Sequence, residues 1–188
     1  MPAGIPVGMP VGPAVNPDLA SRGREAALLE GNFVLSSGKR SRFYLDKYLF
    51  STEPGLLRSV AAELAHHLPP DVHRLAGVEL GAVPLAVAAS LESGLPYVIV
   101  RRAAKDYGTG RSVEGRLAAG ERVVLIEDVV TTGTQAVRAA EGLVEVGVEV
   151  VAILAVLDRR EDGVDPHLGA FPFRALLRME DLGVEKGD

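Results

Sequence analysis

RVVLIEDVVTTGTQ, residues 122–135, joins an apolar, β-branched run to a helix start through two carboxylates and a cluster of hydroxyls. Residues 122–126 suit a central parallel strand buried on both faces. Glu127 and Asp128 come where that strand is expected to end. Thr131, Thr132, Gly133 and Thr134 then lead into Gln135 and an Ala-rich helical stretch. Hydroxyls and free backbone N–H groups at a helix N-terminus stabilise an anion through their donors and through the helix dipole. The stretch therefore predicts a phosphate cup with an acidic lip.

Two commoner phosphate sites are excluded. No Gly-Lys-Ser/Thr follows the strand, so this is not a nucleotide P-loop, and a single Gly133 cannot supply the three glycines of a dinucleotide fingerprint. Two acids above a phosphate loop can accept hydrogen bonds from vicinal sugar hydroxyls, so a phosphorylated ribose fits both halves. Helix capping explains one Thr but not the adjacent acids. LIEDVVTTGT resembles the phosphoribosyl-pyrophosphate (PRPP) signature of the type I phosphoribosyltransferases: apolar residues, two acids, two apolar residues, then a Thr/Gly loop. The resemblance implies that Glu127, Asp128, Val129, Val130, Thr131, Thr132, Gly133, Thr134 and Gln135 contact PRPP. Glu127 stands where relatives carry Asp.

The 188-residue chain as a whole agrees with one α/β domain: 47% of residues are hydrophobic, and there is no Cys or Trp. Without cysteine there is neither a disulfide framework nor a thiolate metal site, so a cytoplasmic protein is expected. A net charge of −5 argues against a general nucleic-acid binder. No apolar run is long enough to span a bilayer, and no membrane partner is expected. Residues 1–17 are so rich in Gly and Pro that they predict a flexible tail, without the pattern of a secretory signal.

Residues 18–188 are expected to form the domain, with a small hood from 18–50 and 171–180 and a core from 53–160. Residues 18–30 read as a helix stopped by Gly31 and Asn32. Two short strands around a turn follow, in FVLSSGKRSRFYLD, residues 33–46. This segment resembles the N-terminal hood of the orotate phosphoribosyltransferases, which implies that the backbone around Tyr44 and Leu45 faces the base. Ser36 replaces a Lys found in another branch. A helix over 54–68, a strand over 74–78 and a helix over 84–92 come next. The turn between the last two, residues 79–83, matches the family's pyrophosphate loop, with Gly81 where some relatives have Lys. Adjacent His66 and His67 point about 100° apart on a helix and cannot share a metal.

After a strand over 96–100 the composition changes. Arg101, Arg102, Lys105, Arg111 and Arg116 fall within RRAAKDYGTGRSVEGR, interleaved with glycines. A cationic, glycine-hinged segment predicts a lid that closes over a polyanion. It resembles the catalytic loop of orotate phosphoribosyltransferases, shared between the subunits of a homodimer. That implies PRPP contacts from Arg101, Arg102, Lys105 and Tyr107, with catalysis by Lys105, Asp128 and Glu127. Tyr107 replaces a His common in the family.

Residues 134–146 predict a crossover helix and 148–157 another buried strand. LDRREDG, residues 157–163, resembles the segment whose first Arg contacts orotate, which marks Arg159, together with Thr131, Tyr44 and Leu45, for the base. Residues 171–177 predict a last strand returning to the hood. The sequence thus points to an α/β fold like that of the type I phosphoribosyltransferases, a mostly parallel sheet flanked by helices. The implied reaction is transfer of phosphoribose from PRPP to orotate. Mg²⁺ would be carried mainly by PRPP, since no protein cage is visible. A purine or uracil phosphoribosyltransferase, or an RNA-binding regulator on the same fold, is the alternative.

Overall fold

A computed structural model of the chain describes residues 16–34, 38, 40–102, 112–160 and 165–184. The expected tail before Asn16, Ser36, Lys105, Tyr107 and Arg111 lie outside these residues. Helix α1 (Pro17–Ala27) leads into a hairpin of β1 (Leu28–Val34) and β2 (Arg40–Leu45), followed by α2 (Leu49–Thr52) and α3 (Pro54–His66). Then come β3 (Arg74–Val78), α4 (Val83–Ser93), β4 (Tyr97–Val100), β5 (Val113–Glu114) and β6 (Arg122–Val130). The chain continues through α5 (Thr134–Glu145), β7 (Glu149–Asp158), β8 (His167–Leu168) and β9 (Phe171–Arg178) to a short 3₁₀ turn, Glu180–Leu182.

The main sheet has the order β5-β4-β3-β6-β7-β9-β8. Its five inner strands are parallel, and β5 and β8 pair antiparallel at the two edges. The chain leaves β3 through α4 for β4 on one side, and leaves β6 through α5 for β7 on the other. Right-handed crossovers in opposite directions put their helices on opposite faces of the sheet. The side chains follow this division. Val124, Ile126, Ala152 and Leu154 pack with Leu85 and Ala86 of α4 and with Leu56, Val60 and Leu64 of α3. Their strand neighbours Val123, Leu125, Ile153 and Ala155 pack with Ala136, Ala140 and Leu143 of α5. Burial on both faces explains why β6 and β7 read as continuous apolar runs.

The structure corrects four expectations. The first helix stops at Ala27, because Leu28 and Leu29 pair with Leu45 and Tyr44 in the hairpin; Gly31 and Asn32 fall in a bulge between Glu30 and Phe33 instead of ending a helix. Asn16 and Pro17 belong to that helix and not to a tail, since the Asn16 side chain accepts from the N–H groups of Asp18 and Leu19. β6 does not end at Ile126: Glu127 pairs opposite Ala155 and Val130 opposite Asp158, so the ten-residue β7 carries its partner on through the acids. β9 lies parallel to β7 in the main sheet and does not return to the hairpin. The end of β9 still packs against the N-terminal region, where Leu176 and Leu177 share a core with Leu19 and Phe50, and in the turn beyond it Arg24 donates to the Leu182 carbonyl at 2.6 Å.

Candidate active site

Because the connections from β3 and β6 diverge, the sheet has a crevice at the carboxyl ends of these two strands. That is where open α/β sheets bind ligands. The loops that follow them, 79–82 and 131–133, form its walls. A cavity there is lined by Lys47, Arg102, Glu127, Asp128, Val129, Val130, Thr131, Thr132, Gly133, Gln135, Ala136 and Arg159.

Glu127 and Asp128 are 4% and 5% exposed, so both carboxylates are buried at the cavity floor. Burial, and then the charge of Asp128, push the Glu127 carboxyl up to about 7; Arg102 and Lys47 pull the other way. Asp128 Oδ1 accepts from the Val129 N–H at 2.7 Å. Its Oδ2 accepts no hydrogen bond. The Lys47 ammonium lies 2.8 Å from Oδ2, a charge contact off the line that a hydrogen bond needs.

The phosphate cup is built on glycine. Gly133 caps α5 with φ +79°, and a Cβ there would come within 2.5 Å of Leu168. Conformation and space thus both demand glycine. Gly133 has no side chain to cap α5, so the N–H groups at the start of the helix are met by the loop itself or by a ligand. Thr132 Oγ1 donates to Thr134 Oγ1 at 3.1 Å and accepts from the Thr134 N–H at 3.4 Å. On the opposite wall Gly81 rests directly against Asp128: any Cβ at 81 would overlap Oδ2.

The two arginines after β7 are divided between different tasks. Arg160 makes a bidentate pair with Asp158, donates to the carbonyls of Asp165 and His167, and stacks 4.6 Å from the Phe173 ring centre. Arg159 lines the cavity, and among the described residues no hydrogen bond or ion pair holds its guanidinium. Its backbone N–H donates to the Val130 carbonyl at 2.8 Å, which anchors it beside the cup.

Most of the expected residues meet in this cavity. Four described ones do not line it. Thr134 stands behind Thr132. Arg101 faces Glu79 at 4.0 Å and Glu114 at 3.6 Å, while the backbone N–H of neighbouring Arg102 donates to Glu79 at 2.8 Å. Tyr44 stacks on Phe33 with ring centres 5.4 Å apart, and Leu45 is buried in the hairpin base opposite Leu28. Lys47, two residues beyond Leu45, reaches the cavity instead, and Ala136 completes its wall. Sequence reading passed over both, because a single Lys after a strand carries no pattern.

Known proteins resemble the chain in sequence and fold. The phosphoribosyl transferase domain family matches residues 57–171. The orotate phosphoribosyltransferase of Halobacterium salinarum is 49% identical over 147 residues, covering 78% of this chain and 83% of that protein. The crystal structure of Mycobacterium tuberculosis orotate phosphoribosyltransferase with Fe(III) dicitrate superposes with a TM-score of 0.77 at 31% identity, over 89% of this chain and 98% of that one. The same enzyme in complex with PRPP superposes with a TM-score of 0.69 at 29% identity, over the same shares of the two chains. The chain therefore belongs to the phosphoribosyl transferase family, in its orotate phosphoribosyltransferase branch.

Proposed function

We propose that this protein transfers the 5-phosphoribosyl group of PRPP to orotate, giving orotidine 5′-monophosphate and pyrophosphate on the route to UMP. The observation that carries this reading is the meeting, in one crevice, of a buried carboxylate pair, a glycine-capped helix N-terminus and an arginine whose guanidinium no group among the described residues engages. The family match and the orotate phosphoribosyltransferases it resembles support it.

In this reading the 5′-phosphate sits on the 131–134 loop, where backbone N–H groups and Thr hydroxyls meet it. Glu127 and Asp128 accept from the ribose hydroxyls and stand close to C1. As the C1–O bond loosens, positive charge gathers on the ribose, and two nearby carboxylates favour that charge more than they favour the ground state. Arg102 at the rim, with Arg101, Lys105 and Tyr107 from the 101–116 lid, faces the departing pyrophosphate. Arg159 grips the orotate carboxylate, a planar acceptor suited to a guanidinium fork. Thr131 and the hairpin backbone near Tyr44 and Leu45 meet the polar edge of the ring.

Among the described residues no group of three or more His, Cys, Asp or Glu side chains can cage a metal. Two carboxylates beside a pyrophosphate site suit Mg²⁺ that arrives on substrate oxygens and keeps its waters. Such an ion supplies charge neutralisation for the leaving group. The working form is a cytoplasmic homodimer with the lid shared between subunits. No described helix is long and apolar enough to cross a membrane.

The test is a spectrophotometric assay of orotate, adenine, hypoxanthine and uracil, each with PRPP and Mg²⁺. Consumption of orotate alone is expected. Preferential use of another base overturns the orotate assignment and leaves phosphoribosyl transfer standing.

A further inference from the structure

Lys47 belongs to the turn between β2 and α2, on the hairpin side of the crevice, yet its side chain crosses to a carboxylate of the main sheet. The contact is 2.8 Å, to an Asp128 side chain only 7% exposed, while the lysine itself remains 32% exposed. Its ammonium also lies 5.3 Å from the centre of the Tyr48 ring. Asp128 Oδ1 is fixed by the Val129 N–H, and Oδ2 lies between the Lys47 ammonium and Gly81, closed off from solvent. Oδ2 accepts no hydrogen bond, and a hydroxyl reaches it once the ammonium, which is partly exposed, shifts on its flexible stem.

The other charges facing the acid pair are accounted for. Arg102 and Arg159 line the same cavity. Arg101 is turned to Glu79 and Glu114, and Glu79 accepts from the Arg102 N–H at the rim. Among the described residues Lys47 is the cation in direct contact with the pair.

We propose that Lys47 is a positioning residue for ribose recognition: its ammonium covers Oδ2 and fixes the Asp128 carboxylate at the cavity, and then shares that oxygen with a ribose hydroxyl of PRPP. The inference rests on the reading of Asp128 as a ribose ligand. A flexible ammonium with three donors suits this task, since it follows small shifts of the carboxylate without leaving it. A second effect follows from the shared charge. Lys47, with Arg102, holds the Glu127 carboxyl down against burial and against Asp128, so removing Lys47 moves the ionisation of Glu127 to higher pH. A lysine that only tied the hairpin to the sheet would weaken binding equally at every pH.

Calorimetric titration of PRPP and Mg²⁺ into the wild type, Lys47→Gln, Lys47→Arg and Asp128→Asn, between about pH 6 and about pH 9, separates these cases. The titration of the ligand's own phosphates is common to all four proteins and cancels. Lys47→Gln is expected to bind about tenfold more weakly at neutral pH, with the gap closing to about threefold at the alkaline end, and Lys47→Arg to stay within about threefold throughout. A Lys47→Gln profile that superimposes on the wild type, or a deficit constant across pH, overturns the proposal. If Asp128→Asn binds PRPP as tightly as the wild type, the ribose role of Asp128 fails first. If Asp128→Asn binds weakly while Lys47→Gln is unaffected, only the role of Lys47 falls.

Discussion

Gly81 and Asp128 touch across the crevice so closely that residue 81 has no room for even a methyl group while the carboxylate keeps its place. The β3–α4 loop thus acts as a backstop for the acid. Gly81→Ala should fold, because the obstacle is one side chain and not backbone, but it should push Asp128 out of line. A misplacement near 1 Å at a substrate-holding group costs on the order of 10²-fold in kcat/KM for PRPP. Steady-state kinetics beside a thermal melt check this; constants within twofold of wild type would show that Asp128 tolerates the shift.

Arg159→Ala should lower kcat/KM for orotate by at least about 2 kcal/mol, the scale of a lost charged hydrogen bond, with little change in PRPP binding. Indifference of the orotate constants to this change would remove Arg159 from the base site.

Lys105→Ala should reduce turnover far more than it weakens PRPP, because a lid cation acts on charge that develops as pyrophosphate leaves. If the lid works in trans, mixing inactive Lys105→Ala chains with inactive Asp128→Asn chains restores activity through sites that receive an intact half from each. Subunit exchange without any recovery would refute sharing.

Two glutamates give stability opposite dependences on pH. The Glu121 carboxyl, held by the forked Arg74 guanidinium at 2.7 and 2.8 Å, is drawn down to about 2, below its ordinary 4.5. Its contribution is present above 4.5 and fades as pH falls toward 2; with the pair partly exposed, about 1 kcal/mol is at stake. Glu127 is shifted up to about 7, so the folded state binds its proton more tightly than the unfolded chain. Stability from that proton is complete below 4.5 and is lost as pH rises toward 7, on the order of 2 to 3 kcal/mol. Urea unfolding across pH should show Glu127→Gln more stable than wild type near pH 8, and Glu121→Gln losing its deficit in acid. The same stability at both ends of the range for Glu127→Gln and wild type would contradict the upward shift.

The hydrophobic runs disclosed the inner strands β3, β4, β6 and β7 and helices α3, α4 and α5, since burial on both faces of a sheet leaves few other solutions for such segments. The signature acids were legible as candidates for the cavity they line but not as strand residues: Asp and Glu disfavour strands on their own, and only pairing with the long β7 carries β6 through them. Leu28 and Leu29 fit a helix face as well as a strand, and their partners in β2 decided between the two. The place of β9 beside β7 depends on tertiary packing alone. Lys47 was invisible for a related reason. Its role exists only because the fold brings a hairpin turn against the end of a strand distant in sequence.

The two-residue strands β5 and β8 have a consequence for how copies of this chain meet. Each closes one margin of the parallel sheet by running against it, and each offers too few free peptide groups for another chain to extend the ladder. Short margins of this kind discourage the end-to-end growth to which open sheets are prone. Any contact between copies is thereby steered away from the sheet margins and toward helix and loop surfaces, where it is finite and self-limiting.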